Sequence, residues 1–277
     1  MCVARALSPI SPSPPPTHTI PCPHFFPPSS KINSETDFAA RNEAFTSLVS
    51  AAAAAALTAP TPGPAGGEVG GGVLGTLAST SSSPDHLAAA VTSVAGTVRE
   101  NIVLRRGARL DAVAGGVLGS YIHAAAGPGL GRMAALVALA PAGGGDAPLP
   151  PGAAGLAARL AMHVVASRPV ALDRASVPTA LVDAERAVLT AQAIASGKPG
   201  AVAAKMVEGR LGKWFEAAAL ADQPFVVDDS KKVGAVVREA GLRLTGFVRL
   251  QVGEGLDAKS GGDFAAEVAE TLAKAAG

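Results

Sequence analysis

Residues 116–140 read GVLGSYIHAAAGPGLGRMAALVALA, which is two apolar runs joined by a glycine-rich segment. The runs at 117–122 and 133–139 contain β-branched residues and have the length of strands. A tight turn between two strands needs residues that adopt a positive φ without strain, and glycine does so most readily. The stretch therefore predicts an antiparallel hairpin. The turn glycines are Gly127, Gly129 and Gly131.

The order of elements around this hairpin occurs a second time in the chain. The hairpin is followed by a helical pattern at 156–165 and closed by an alternating strand pattern at 242–252. Upstream, INSETDFAARNEAF at 32–45 has the form of a strand end that leads into a helix, and ENIVLRR at 100–106 follows as a closing strand. We therefore predict an α+β protein of two related subdomains, each with a small antiparallel sheet packed on helices. The first is expected to lack its opening hairpin, upstream of Lys31, which would leave an unpaired sheet edge.

Helical periodicity defines most of the remaining elements. From Thr36, apolar residues recur at spacings of three, four and seven as far as about Leu57, which predicts one amphipathic helix. Helical patterns at 180–195 and 201–219 flank SGKPG, and this short turn predicts a projecting antiparallel helical hairpin. The apolar residues of the first helix are Phe38, Phe45, Leu48, Val49 and Ala52. Further elements are expected as a helix after Pro84, an extended segment at 224–227, a helix at 231–240 and a helix at 264–275.

Composition divides the chain into four parts. Residues 1–31 are rich in proline and serine and contain no acidic residue, so we expect a disordered tail. The tail is open to two other interpretations, a transit peptide or a translated pyrimidine tract that ends an intron. The four parts are a low-complexity tail at 1–31, an N-terminal core subdomain at 32–140 with a flexible insertion at 58–84, a C-terminal core subdomain at 141–260 with the helical hairpin at 178–219, and a C-terminal helix at 261–277.

Charge and cysteine content exclude several classes of function. Lysine and arginine total 23 against 22 aspartate and glutamate, a formal net charge of +1, so nothing indicates nucleic-acid or membrane-surface binding. No apolar run reaches the roughly 18 residues that a membrane-spanning helix needs. Cys2 and Cys22 have no metal-ligand residues at useful spacing and suggest no disulfide framework.

Candidate catalytic and nucleotide sites fail on spacing. The histidines are scattered and none forms an HExxH pair, so no zinc site is predicted and a structural role is the better interpretation of each. No G-x-S-x-G elbow occurs. The glycines at 70–75 lack the preceding strand of a dinucleotide site, and the segment at 253–260 has no glycine before Lys259. We therefore predict no catalytic residue, no metal and no cofactor.

The segment SETDFAARNEAF at 34–45 leaves two interpretations open. Ser34 or Thr36 can cap a helix, and Asp37 in its first turn interacts favourably with the positive end of the helix dipole. Phe38 shares the apolar stripe, which indicates a core residue. A helix N-terminus can equally present an aromatic ring outward, as an anchor in a partner's pocket. Periodicity alone does not separate the two.

The motifs of this chain resemble those of translation elongation factor Ts, in the same order. TDFAARNEAF at 36–45 is similar to the TDFVARN signature of that family, and the residues before it resemble the family's strand end VNCE or VNSE. Agreement covers almost everything after residue 31. The other matching motifs are ENIVLRR at 100–106, GSYIH at 119–123, AMHVVASRP at 161–169, SGKP at 196–199, KMVEGR at 205–210, QPFV at 223–226, TGFVRLQVGEG at 245–255 and DFAAEVA at 263–269.

The resemblance implies a protein that acts by binding, as the guanine nucleotide exchange partner of elongation factor Tu. The family binds the GDP form of elongation factor Tu, distorts its nucleotide site and releases GDP, with no covalent chemistry. It uses no cofactor, direct nucleic-acid contact or membrane. Carried over, Phe38 is an aromatic wedge and Asp37 its polar neighbour. The family's other contact positions fall on Val98, Arg99 and His123.

Departures from the family pattern lead to further expectations. Nothing resembles the family's N-terminal UBA-like helical module, so we expect an N-terminally truncated chain with weakened exchange. Ala39 replaces a usual valine and Arg99 a usual glycine. An interaction domain that binds without driving exchange is the alternative, and a small-molecule enzyme is a third class, supported only by glycine-rich turns. Ser34 and the glycine-rich turn resemble the alphaproteobacterial branch, which favours an organellar protein of the mitochondrion over one of the chloroplast.

Overall fold

The computed structural model consists of α-helices and antiparallel strands, which confirms the predicted α+β class. The structure describes residues 2–5, 29–33, 39, 41–58, 84–108, 110–127, 129–144, 147–197 and 199–254. Most of the insertion predicted at 58–84 and the helix predicted at 264–275 lie outside these residues.

The described elements begin and end with a strand. The strands are β1 Cys2–Arg5, β2 Ser29–Asn33, β3 Val103–Ala108, β4 Val117–Gly127, β5 Leu130–Pro141, β6 Pro224–Phe225, β7 Asp228–Lys232 and β8 Leu242–Gln251. The helices are α1 Glu43–Thr58, α2 Pro84–Val98, α3 Ala153–Ser167, α4 Thr179–Ala195, α5 Gly200–Ala218 and α6 Val233–Glu239, with a 3₁₀ turn at Leu220–Asp222.

Among the described residues, β5 is the central strand of a six-stranded antiparallel sheet. One edge of β5 pairs with β4 along the whole hairpin, which confirms the prediction for 116–140. The hairpin turn contains Gly129 at a φ of 72°, as a tight turn requires. The other edge of β5 pairs with β8 over most of its length and with β1 at its beginning, where Val3 lies opposite Gly131.

The predicted repeat is present in the strand order. β2 lies between β1 and β3, as β5 lies between β4 and β8, so each unit is a hairpin closed by a later strand. By pairing, β4 and β5 therefore group with β8, which comes later in the chain. The predicted division of the chain at residue 140 stays a prediction.

Two expectations about the beginning of the chain are wrong for the described strands. The opening hairpin of the first unit is present, because Cys2 lies opposite Ile32, and β2 has a partner on both edges. Disorder was expected over 1–31, but β1 and the start of β2 lie in this segment as strands. The prolines lie between the two strands, at 9–28, so they remove no hydrogen bond from either ladder.

The first unit has its own apolar core, which α1 and α2 form with the sheet. The apolar stripe predicted for the first helix is confirmed at its described positions, since Phe45, Leu48, Val49 and Ala52 are buried. Phe45 is completely shielded from solvent. These residues pack with Ile32 of β2, Leu87 and Val94 of α2, and Ile102.

The first helix is predicted to run unbroken from Thr36, and this is wrong, because Ala39 is helical but the chain leaves the helix at 41–42. α1 begins at Glu43, and Asn42 caps it, because Asn42 Oδ1 accepts a hydrogen bond from the Ala44 backbone N–H at 2.8 Å. The Asn42 N–H donates to the Ala39 carbonyl at 3.0 Å, so the chain turns between these two residues. Apolar spacing continues through the turn, and it therefore gives no sign of the bend. The caps proposed from sequence lie outside the described residues.

The second unit is built on α3, which packs across β4 and β5. Leu156, Leu160 and Val164 of α3 are buried against Val137 and Leu139 of β5. The close approach of helix and sheet depends on Gly119 of β4, because a Cβ atom there would stand 2.0 Å from the carbonyl carbon of Ala157. Any side chain at this position would push α3 away from the sheet.

β8 contains a bulge between its two halves. Leu244 lies opposite Leu139 and Gly246 opposite Ala138, so Thr245 is an extra residue in the ladder. The strict alternation predicted over 242–252 therefore breaks at Thr245. Leu242 and Leu244 before the bulge, and Phe247 after it, face the α3 core, while Val248 and Leu250 pack in a third cluster on the opposite face.

A buried histidine joins α3 to the segment after α5. His163 is fully buried; its Nε2–H donates to Gln223 Oε1 at 2.9 Å, and its Nδ1 accepts from the Val226 backbone N–H at 3.2 Å. The Gln223 amide donates to the Ser167 carbonyl at 3.2 Å. Burial lowers the pKa of His163 below its ordinary value, and the Gln223 hydrogen bond opposes this only in part. His163 thus has the structural role expected of it.

The predicted antiparallel helical hairpin is confirmed as α4 and α5. Its two helices pack through Leu189 and Ala193 of α4 and Val207 and Leu211 of α5. Each of these helices has only a few buried residues, as expected for an arm that projects from the body of the protein. The helix predicted at 231–240 begins later than expected, since β7 extends to Lys232 and α6 follows it.

The Gly119→Ala substitution is expected to destabilise the protein by about 3 kcal/mol, because the added methyl group forces α3 off the sheet. Gly96→Ala is the matched control. Gly96 lies in α2 with nothing within 4 Å of an added Cβ atom, so alanine should stabilise by up to about 1 kcal/mol. Urea unfolding measures both changes. Equal small effects would contradict the close contact at Gly119.

Stability is expected to fall as the pH drops below about 6.5, the pKa of histidine in an unfolded chain. Below this pH the unfolded chain binds a proton at His163 that the folded chain does not, so the free energy of unfolding decreases. The decrease continues until the pH reaches the lowered pKa of His163 in the folded state. The loss approaches about 1.4 kcal/mol per pH unit within that window. Urea midpoints from about pH 8 to pH 5 measure it. His163→Gln should flatten the dependence, and an unchanged slope would contradict this origin.

Candidate partner-binding surface

Two of the predicted contact residues, Asp37 and Phe38, lie outside the described residues. The structure describes the chain on both sides of them. β2 ends at Asn33, and on the other side Ala39 is buried, with 5% of its surface exposed. The aromatic residue of the same stripe that is described, Phe45, lies in the core.

Val98 and Arg99 form the end of α2. Val98 is the last helical residue and packs, half-buried, against the first core. Arg99 is exposed and has a φ of 57°, and its N–H donates to the Ala95 carbonyl at 2.8 Å. This is the left-handed termination in which glycine is common, and a residue with a Cβ pays about 1 kcal/mol there. The guanidinium charge at a helix C-terminus offsets part of that cost.

His123 lies exposed near the turn end of β4. Its Nδ1 atom lies 3.4 Å from the Tyr121 hydroxyl, and the two rings are tilted with centroids 6.2 Å apart. The next residue, Ala124, has a φ of 51°. Gly131 on the neighbouring strand leaves room for this backbone, because a Cβ atom there would stand 2.7 Å from the His123 carbonyl oxygen. Within the described ranges, the Nε2 atom of His123 has no partner and can meet another molecule.

The end of β2 and the start of β3 lie at the same end of the three strands of the first unit. Asn33 is opposite Val103, and both are the outermost paired residues at this end. The chain continues from Asn33 into residues 34–38 and reaches Val103 from Arg99. The sheet therefore pairs Asn33, the last described residue before 34–38, with the strand that follows Arg99.

β1 places His123 at the same level of the sheet. Cys2 lies opposite Ile32 on one edge of β1, and Val3 lies opposite Gly131 on the other. His123 pairs with Met133, which is two residues after Gly131 on β5. Across the paired strands, Met133 is level with Asn33, the last residue of β2. Asn33 and His123 are more than 80 residues apart in sequence, and they lie at the same level of the sheet.

The end of β8 lies at the same level, and no motif in the sequence predicted a role for it. Gln251 is opposite Met133, as His123 is on the other edge of β5, and β8 also contacts β2. The signal in the sequence is a charged residue, Arg249, between core positions of a strand. The sequence alone does not show that Arg249 faces the core, because the bulge at Thr245 determines which face of the sheet Arg249 occupies.

The predicted contact residues that the structure describes belong neither to a cluster of metal ligands nor to the groove between α6, β7 and the start of β8. In the described ranges no three His, Cys, Asp or Glu side chains come together as metal ligands do. A groove of about 570 Å³ lies between α6, β7 and the start of β8, and it includes none of the predicted contact residues. Among the helices that are described, none is long and apolar enough to cross a membrane.

Comparison with known proteins identifies the family. The sequence model of a family described as "Elongation factor TS" matches residues 35–254. Elongation factor Ts of Paramagnetospirillum magneticum is 42% identical over 245 residues, which cover 86% of this chain and 73% of the relative. That of Gluconobacter oxydans is 42% identical over 239 residues, with 86% and 74% covered. That of Rhodospirillum rubrum is 41% identical over 250 residues, with 88% and 76% covered. The chain therefore belongs to the elongation factor Ts family.

Proposed function

We propose that this chain is a guanine nucleotide exchange factor for elongation factor Tu in translation elongation. The observation that carries the proposal is the match to the elongation factor Ts family over residues 35–254, which includes all five predicted contact residues. The activity is binding to the GDP form of the partner, with no covalent step. The strand pairings add support, because strands from three separate family motifs share one level of the sheet.

The proposed mechanism is negative coupling between two ligands of elongation factor Tu. The exchange factor binds best to a distorted nucleotide site and GDP to an undistorted one, so each weakens the binding of the other by the same factor. About 4 kcal/mol of such coupling accelerates GDP release on the order of a thousandfold if it appears fully in the barrier. Distorting the partner requires a rigid support for residues 34–42. The sheet before these residues and α1 after them provide it.

Each predicted contact residue has a role in this proposal. The ring of Phe38 enters the GTPase domain as a wedge, and Asp37 makes the polar contact beside it. Arg99 offers a guanidinium at the exposed end of α2, and Val98 anchors that end in the core. His123 offers its Nε2 atom at the exposed end of β4.

The compartment that we propose is the mitochondrion. Its support is the resemblance of Ser34 and the glycine-rich turn to the alphaproteobacterial branch of the family. A fluorescent fusion of the complete gene product should co-localise with a mitochondrial marker. Co-localisation with plastids would contradict the proposal.

Phe38→Ala is expected to slow stimulated GDP release by about 30-fold, since loss of an aromatic anchor costs about 2 kcal/mol or more. The measurement is the release of fluorescent GDP from a bacterial elongation factor Tu. Leu149→Ala is the control, because Leu149 is an exposed apolar residue in the segment between β5 and α3 and is none of the predicted contact residues. Unchanged release by Phe38→Ala would overturn the wedge. Undiminished binding with no acceleration by the wild-type chain would favour the alternative, a domain that binds without exchange.

Two substitutions at Arg99 separate backbone strain from partner contact. Arg99→Gly removes the Cβ from a left-handed position and should stabilise the chain by up to about 1 kcal/mol in urea unfolding. Arg99→Ala keeps the strain and should leave stability within about 0.5 kcal/mol. Both remove the guanidinium and should weaken binding to elongation factor Tu by about fivefold. Wild-type affinity in both variants would exclude Arg99 from the contact.

A further inference from the structure

The end of β8 lies beside the predicted contact residue His123, at a place to which no role has been given. Gln251, its last residue, is separated from His123 only by Met133 of β5. On its other side β8 contacts β2, the strand that leads into residues 34–38. Adjacent strands are about 4.8 Å apart, so Gln251 and His123 lie about 10 Å apart, well within one protein contact area.

A buried arginine organises this end of the strand. The Arg249 side chain is only 8% exposed, and its Nη1 donates to both carboxylate oxygens of Glu254 at 3.0 Å. Its Nη2 donates to Gln251 Oε1. Arg249 lies opposite Ala135 of the α3 core, and in the part of the chain that is described its Nε has no partner.

Apolar packing does not explain an arginine at this position. Removing a charge from water costs several kcal/mol, and an apolar side chain of similar size often stabilises a core at least as well as an ion pair. A buried arginine is therefore most useful where it fixes the geometry of other polar groups. Here the two groups that it holds are both at the surface, since the Glu254 side chain is 43% exposed and Gln251 is half-buried.

The backbone after β8 turns so that Glu254 returns to Arg249. The Val252 N–H donates to the Arg132 carbonyl at 3.0 Å, which continues the ladder by one residue. Gly253 then adopts a φ of 83°, and the Glu254 N–H donates to the Gln251 carbonyl at 3.4 Å. The turn and the ion pair together give Gln251 and Glu254 one defined arrangement.

We propose that Gln251 and Glu254 contact elongation factor Tu beside His123, and that Arg249 is the residue that positions them. This inference rests on the proposed function. Because Gln251 Oε1 accepts from Arg249, the Gln251 amide N–H groups are the ones that would donate to a carbonyl or carboxylate oxygen of the partner. The carboxylate of Glu254 suits a basic side chain or backbone N–H groups of the partner.

The test compares Gln251→Ala and Glu254→Gln with the wild-type chain in binding to a bacterial elongation factor Tu loaded with fluorescent GDP. Each variant should bind about fivefold more weakly, and Glu254→Gln should also reduce the salt dependence of the association rate. Glu239→Gln is the matched control. It removes the charge of another exposed, ion-paired glutamate, at the opposite end of β8, and should bind as the wild type does.

Urea unfolding of each variant separates contact from structural support. Gln251→Ala removes a hydrogen-bond acceptor of buried Arg249 and should lower the free energy of unfolding by about 1 kcal/mol, so its affinity is measured where the variant is fully folded. If both variants, at concentrations where they are folded, bind with wild-type affinity and salt dependence, the inference is overturned and Arg249 has only a structural role. Failure of the wild-type chain to bind or to accelerate GDP release overturns the proposed function instead. The two failures are therefore distinguishable.

Discussion

The pairing of β5 along both of its edges is the constraint on which the rest of the structure depends. From Ala134 to Pro141 every residue of β5 is buried, and its side chains there are alanine, leucine, valine and proline, which cannot satisfy backbone polar groups. A buried strand must therefore find hydrogen-bond partners on both sides, and β4 and β8 provide them. β8 follows β5 by about 100 residues, so this pairing closes the second unit and fixes where α3 and α6 pack.

The same strand joins the two units. β1 pairs with the beginning of β5, on the part of its edge that β8 does not cover. β2 pairs with β1, and β3 with β2, so their register follows from that of β5. The consequence for function is geometric. The end of β2, the start of β3, His123 and the end of β8 are held at one level by backbone hydrogen bonds. These bonds tolerate almost no sliding, because a one-residue slip turns core residues to solvent. The proposed function, in which the chain distorts its partner, requires such a stiff frame.

Much of this fold could be predicted from the sequence, and the exceptions have physical causes. The β4–β5 hairpin and the α4–α5 hairpin were predictable because long apolar runs and helical periods flank glycine-containing turns. β1 was not, because CVAR is too short for a period to show and is stabilised only by pairing with distant strands. The beginning of α1 depended on one side-chain hydrogen bond of Asn42. For the site, motif resemblance supplied Asp37, Phe38, Val98, Arg99 and His123, and the structure describes the last three. The cluster around Arg249 required the register of β8, which no local pattern contains.

The bulge at Thr245 restricts where insertions and deletions can occur in this chain during evolution. Ahead of it β8 presents even-numbered residues to the α3 core, and beyond it odd-numbered ones, so a single inserted residue lets one strand serve two differently phased surfaces. A deletion there would turn either Leu242 and Leu244 or Arg249 and Gln251 to the wrong side. Loops between elements tolerate gaps, whereas this strand interior does not, and related chains should therefore align through it without insertions or deletions.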